Sequence, residues 1–426
     1  MKDYARILKE ELVPAMGCTE PIAIALCVAK ARELLGRAPE SIDLYCSGNI
    51  IKNAQSVTVP GTGGMCGMAA AAAAGCFGGD PALMLEVLRP IDEQALAQAR
   101  DFVAAGRVRV HHARGVDSLY IRARLTSGED WAEAVIEGGH ARFVSLMKNG
   151  RSLPVAAAPE APAEEAQETG IDVAEILHFV ESLDFGSHQD LVDLIDRQID
   201  YNLRIAEEGL ENSYGAMVGR TLMDAAPDSL RERIRAYAAA GSDARMAGCT
   251  LPVVINSGSG NQGITASLPL IVYATEKNMS QEALRRGLVW SNLLAIQMKA
   301  LVGKLSAFCG VVSAAAAAGA GLAFLQGLDL AQMEQVISTS LLTAGGIFCD
   351  GAKASCASKI AVALDCSLLA LDMAKNGRSL KTGQGLNTGD INQTIREVAR
   401  IAREGMRETD HMILESMLKT GAQGAG

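Results

Sequence analysis

The chain has 426 residues, a formal net charge of −10 and a pI near 5.3, and no Lys/Arg cluster, which argues against a nucleic-acid surface. Hydrophobic residues make up 49% but aromatics only 4%, so the apolar mass is Ala, Leu, Val and Ile, and close-packed helices are the expected core. Ten cysteines in a chain this long are not the disulfide framework of a small secreted domain, and the charged, amphipathic N-terminus has no apolar signal core. Reduced thiols and a cytoplasmic location are therefore expected.

Taken in chain order, residues 1–36 predict two helices broken at Pro14–Pro21, with Thr19 as cap and Pro21 in the first turn of the second. Ile42–Cys46 predicts a strand running into a loop over Ser47–Ala54, and the alanine run Ala69–Ala74 predicts a helix. Leu83–Leu88 reads as a strand and 92–105 as a helix. Period-two alternation then recurs at Arg107–His112, Leu119–Leu125, Trp131–Glu137 and Ala141–Leu146, with glycine turns between, which predicts a small antiparallel sheet. Pro154–Gly170 has a linker composition. After residue 171 the pattern is helical, except for the strand-like Leu251–Asn256. Leu305–Leu328 carries no charge, but its Ala and Gly content predicts a buried core helix rather than a membrane span.

Several segments carry chemistry. Cys309, Cys349 and Cys356 form a C-x39-C-x6-C array that matches no ferredoxin or zinc-finger spacing. Three thiolates from two segments suit an iron–sulfur cluster with one iron left open; three Cys and a water on zinc, or pyridoxal phosphate on Lys353 or Lys359, are the alternatives. Cys18, at a helix start in Met-Gly-Cys-Thr-Glu-Pro, is expected to have a lowered pKa, as a base, nucleophile or cluster ligand. The loop Ser257–Gly263 has the physics of an anion cradle, and a second Gly-Asn loop offers Asn49 and Lys52 to the same anion. Cys27, Cys46, Cys66, Cys76, Cys249 and Cys366 read as small hydrophobes, and none of the six histidines has metal-ligand spacing.

Together, Met-Gly-Cys-Thr-Glu-Pro (16–21), Gly-Asn-Ile-Ile-Lys-Asn-Ala (48–54), Ser-Gly-Ser-Gly-Asn-Gln-Gly (257–263), Phe-Cys-Gly (308–310) and the segment 348–359 resemble the L-cysteine desulfidase family. That family is related to the α-chain of iron–sulfur-dependent L-serine dehydratases, and the likeness runs from residue 1 to about 395. It implies a [4Fe–4S] cluster on Cys309, Cys349 and Cys356, Cys18 as proton acceptor, and substrate-holding loops that include Asn49, Lys52, Ser259 and Asn261.

The expected fold is α+β. A helical catalytic domain is expected over 1–82 and 171–426, a small α/β module over 83–152 and a linker over 153–170. The expected activity is β-elimination of L-cysteine to sulfide and aminoacrylate, a carbon–sulfur lyase reaction. L-serine dehydration on the same cluster is the alternative, and a non-catalytic amino-acid or iron–sulfur sensor the second. The expected partner is a small amino acid, with no nucleic acid and no membrane; homo-oligomerisation is left open.

Overall fold

A computed structural model of the chain describes residues 2–155, 170–303 and 305–423. Most of the expected linker at 153–170 lies outside the described residues. The first part runs α1 (Tyr4–Glu11), β1 (Pro14–Met16), α2 (Thr19–Leu35), β2 (Ser41–Cys46), α3 (Gly48–Ala54), α4 (Gly67–Gly78), α5 (Glu93–Ala104), β3 (Val108–His112), β4 (Tyr120–Ser127), β5 (Asp130–Glu137), β6 (Phe143–Lys148) and β7 (Arg151–Ser152). The second runs α6 (Val173–Ser182), α7 (Gln189–Glu211), α8 (Val218–Ala225), α9 (Leu230–Met246), β8 (Pro252–Val254), α10 (Gly260–Glu276), α11 (Gln281–Val302), α12 (Gly310–Leu325), α13 (Leu330–Ala344), α14 (Ser355–Lys375), α15 (Ile391–Arg400) and α16 (Arg407–Gln423). The expected α+β class, mainly helical, is what is found.

The sheet has the order β3-β2-β4-β5-β6-β7. All pairs are antiparallel except β2 with β3, so the strand at 41–46 joins the alternating strands downstream and makes the sheet mixed. Alternation sets its buried face: Ile42, Leu44 and Cys46 on β2, and Ile121, Ala123 and Leu125 on β4, are fully covered. Helix α2 lies on β4 and β5 and is backed by α4. In the second part α12 is the hub, packed against α10, α11, α13 and α14. Its alanines, Ala314–Ala318, are buried, and such short side chains admit four neighbours at close range. Among the described residues no helix is long and apolar enough to cross a membrane.

Three local expectations are corrected. Leu83–Leu88 is not a strand: Asp80 accepts a hydrogen bond from Ala82 N and Pro81 follows, which starts a 3-10 turn over Pro81–Glu86. Residues 48–54 are the short helix α3, because Ser47 takes the cap position and accepts from Ile50 N. Finally, Cys18 rather than Thr19 occupies the cap of α2, and the Thr19 hydroxyl donates instead to Gly258 O, at 2.8 Å.

Helices α2 and α4 meet at Gly75. A Cβ there would stand 2.3 Å from the carbonyl oxygen of Ala25, a distance only a backbone shift relieves. Gly75→Ala is therefore expected to destabilise the fold by about 1–3 kcal/mol, despite its better helix propensity, as checked by urea unfolding. An unchanged midpoint would show that the two helices part without cost.

Candidate active site

Two pairings bring the chemistry together. Strand β1 runs antiparallel to β8, Pro14 opposite Val254. That register delivers the start of α2, with Cys18, to the loop 257–259 ahead of α10. Far along the chain, Phe308 and Phe348 form an antiparallel bridge, with Cys309 N donating to Ile347 O at 3.1 Å and Cys349 N to Ala307 O at 2.5 Å. The bridge sets the Cys309 and Cys349 side chains as neighbours in one cavity. Cys356 lies in the first turn of α14 and packs against the small cluster of Cys18, Val57 and Met246. All four cysteines line one cavity of about 100 Å³, together with Ser259 and Asn261.

The expected loop partners divide. Asn49 lines a larger neighbouring chamber of about 690 Å³, which shares the Leu305–Ser306 wall with the cysteine cavity. Lys52 is buried and its Nζ meets Asp410 Oδ1 of α16 at 2.5 Å, so it is already paired. From there it still acts as a fixed positive charge toward Cys349. The cysteines read as small hydrophobes follow that reading at Cys27, Cys46, Cys76 and Cys249, which are buried. Cys366 is half-buried, and Cys66 is exposed on the approach to α4, where its thiol contacts Thr58 and Gly64 O.

Four further residues line the cavity, and the motifs had not marked them as functional: Glu20, His140, Arg245 and Lys299. Cys18 Sγ donates to Glu20 Oε2 at 2.9 Å, and Asn53 Nδ2 donates to Glu20 Oε1, also at 2.9 Å. His140 Nε2 stands 3.8 Å from Glu20 Oε1, beyond hydrogen-bond distance. Burial alone raises the Glu20 pKa, but His140 and the Cys18 thiol more than offset it and hold the carboxyl well below the usual range. Burial, followed by the Glu20 charge, pushes the Cys18 thiol well up, with Arg245 opposing. The expected lowering by the α2 N-terminus is thus corrected: desolvation outweighs the helix end. Lys299, in the last turn of α11, is pushed down to about 8 by burial, against the pull of the Cys349 and Cys309 thiols.

Cys309, Cys349 and Cys356 bring three thiols to the cavity and Lys299 a cation to offset their charge, a donor set that fits an anionic iron–sulfur cluster. Among the described residues no three His, Cys, Asp or Glu side chains converge as ligands of a single ion.

Just before Arg245, Asp243 is fully buried and accepts a hydrogen bond from Gly219 N at 3.0 Å, pinning the start of α8. Burial raises its carboxyl to about 6, against backbone donors that lower it. A raised carboxyl favours the protonated fold, so this contribution is complete below pH 4 and is lost as pH rises through about 6. The difference is on the order of 2–3 kcal/mol. Asp243→Asn, which stays neutral, is expected to flatten that part of the stability profile, from about pH 4 up to about pH 6. Parallel profiles for variant and wild type in urea unfolding would refute it.

A family model described as serine dehydratase alpha chain matches residues 151–415. The chain is 44% identical over 420 residues to a UPF0597 protein of Finegoldia magna, covering 98% of this chain and 100% of the relative. It is likewise 44% identical to one of Lachnoclostridium phytofermentans, covering 98% and 99%. A third, from Bacteroides thetaiotaomicron, is 38% identical over 99% of this chain and 98% of its own. The expected kinship with serine dehydratase α-chains holds, the motifs at 257–263 and 348–359 lying within the match, and the chain belongs to the serine dehydratase alpha-chain family.

Proposed function

We propose that the protein is a lyase that eliminates the β-substituent of a small L-amino acid, with L-cysteine as substrate and sulfide and aminoacrylate as products. Aminoacrylate then hydrolyses to pyruvate and ammonia. The observation that carries this reading is the meeting of Cys18 and its Glu20 partner with Cys309, Cys349 and Cys356 in one cavity. The last three residues would hold a [4Fe–4S] cluster. When bound, it would supply a Lewis-acidic iron, an electron-pair acceptor that assists departure of the leaving group.

The chain's own residues handle the proton. A Cys18 thiol with a raised pKa is a poor base alone, but it already donates to an ionised Glu20. As the Cα proton arrives at Sγ, the thiol proton moves on to Glu20 Oε2, so no free thiolate has to form in the buried site. The Cα–H and Cβ–S bonds break, the Cα=Cβ bond forms and hydrosulfide leaves. Asn53 holds the other Glu20 oxygen, which fixes the carboxylate for this transfer. Ser259 and Asn261 orient the substrate from the start of α10, Asn49 borders the access chamber, and Lys52 acts through charge rather than contact.

The second reading, L-serine dehydration in the same pocket, is favoured by the family description. Anaerobically reconstituted enzyme given each amino acid decides between them. Sulfide and pyruvate from cysteine at a higher kcat/KM than pyruvate from serine supports the desulfidase; the reverse order moves the assignment to the dehydratase. No product from either removes both.

A further inference from the structure

Arg245 is the least expected charge in the molecule. It sits in the last turn of α9, is only 2% exposed and lines the cysteine cavity. Among the described residues its guanidinium has no carboxylate within ion-pair distance, and its buried Nε has no hydrogen-bond partner. Asp243, two residues earlier, turns its hydrogen bond to Gly219 N instead. A buried unpaired charge is costly, so the fold keeps it for a partner that arrives from outside.

Its position says what that partner is. A Cβ on Gly260 would stand 2.2 Å from Arg245 Nε and 2.6 Å from Cζ, so the side chain lies directly against the first residue of α10. Helix α10 spans 17 residues, and its N-terminus carries positive partial charge. Guanidinium and helix end repel each other until an anion joins them, and the planar two-donor fork of Arg matches a carboxylate. Around the same cavity Asn53 Oδ1, Asn261 Oδ1 and Gln262 Oε1 are buried acceptors without donors. An ammonium group supplies those donors. Positive groups and orphan acceptors lining one cavity describe a zwitterion.

We propose that Arg245, set against the N-terminus of α10, binds the α-carboxylate of the substrate, so that the pocket takes free amino acids and rejects those with a missing or blocked carboxylate. This rests on the cavity being the substrate site, but not on which leaving group departs there. Arg245 is a binding residue; the orphan amide oxygens receive the amino group.

The test uses the full chain, with and without anaerobically reconstituted cluster, and ligands that have no leaving group. L-2-aminobutyrate keeps both charged groups, butyrate lacks the amine and propylamine lacks the carboxylate. Calorimetric titration of the wild type is expected to give the tightest binding for L-2-aminobutyrate and none for propylamine. Arg245→Gln is expected to weaken L-2-aminobutyrate at least tenfold, with Arg245→Lys in between and iron content unchanged. Gly260→Ala keeps the charge but displaces it, and is expected to weaken binding in the same direction. Equal affinity in wild type and Arg245→Gln, binding of propylamine on a par with L-2-aminobutyrate, no binding of L-2-aminobutyrate at all, or ligand lost only where iron is lost would each overturn the proposal. Carboxylate-dependent binding that needs Arg245, in an enzyme that converts neither cysteine nor serine, would leave this inference standing and remove the reaction proposed above.

Discussion

Cys18→Ala is expected to lower turnover by about a thousandfold, in line with the loss of a general base, while iron content stays that of the wild type. The reason lies in the pair rather than in the thiol. Cys18 is buried, its sulfur donates to Glu20 Oε2, and burial makes its proton hard to lose to water. Glu20 is the only proton destination to which that thiol is hydrogen-bonded among the described residues, so Glu20→Gln is expected to fall by a comparable factor. A double variant is then expected to be little worse than either single one, because the two act as a unit. Steady-state rates under anaerobic conditions, with iron measured on the same samples, check this. Full activity in Cys18→Ala with iron retained would remove Cys18 from the chemistry.

Cys309→Ala is expected to have the larger effect, abolishing both iron uptake and turnover. Cys309 and Cys349 are held together by the bridge at Phe308 and Phe348, and Cys356 comes from the start of α14, so each thiol would be one of three anchors, while the cavity's fourth thiol, Cys18, is hydrogen-bonded to Glu20. Removing one small buried side chain costs the fold little, about 1 kcal/mol. Urea midpoints close to wild type alongside lost iron would therefore separate an absent ligand from an unfolded protein. Iron uptake at the wild-type level by Cys309→Ala would contradict its role.

Part of this site was legible in the sequence because it was punctuated there. Gly17 beside Cys18 and the glycine-rich segments at 257–263 and around Cys349 mark close backbone approach, and the helix α12 could be read from its alanines. The rest was hidden for physical reasons. Glu20 lies inside a motif already singled out, but nothing in the motif itself shows that the acid is buried beside Cys18 as its partner. Lys299 did carry a signal, a lone cation in the apolar run Leu293–Val302, which is costly to bury without a use. His140 and Arg245 reach the cavity only through tertiary packing, from the β5–β6 turn and the end of α9, and nothing local marks them. The thiol of Cys18 was misjudged because a helix end is a local feature and desolvation is not.

The most direct test of the central claim is one sample measured two ways: iron and sulfide bound per chain after anaerobic reconstitution, and sulfide and pyruvate released from L-cysteine. One cluster per chain, with the two products in equal amounts and both lost in Cys349→Ala, is the predicted result. A folded chain that takes up no iron, or that releases sulfide as well without iron as with it, would contradict the reading of these three cysteines.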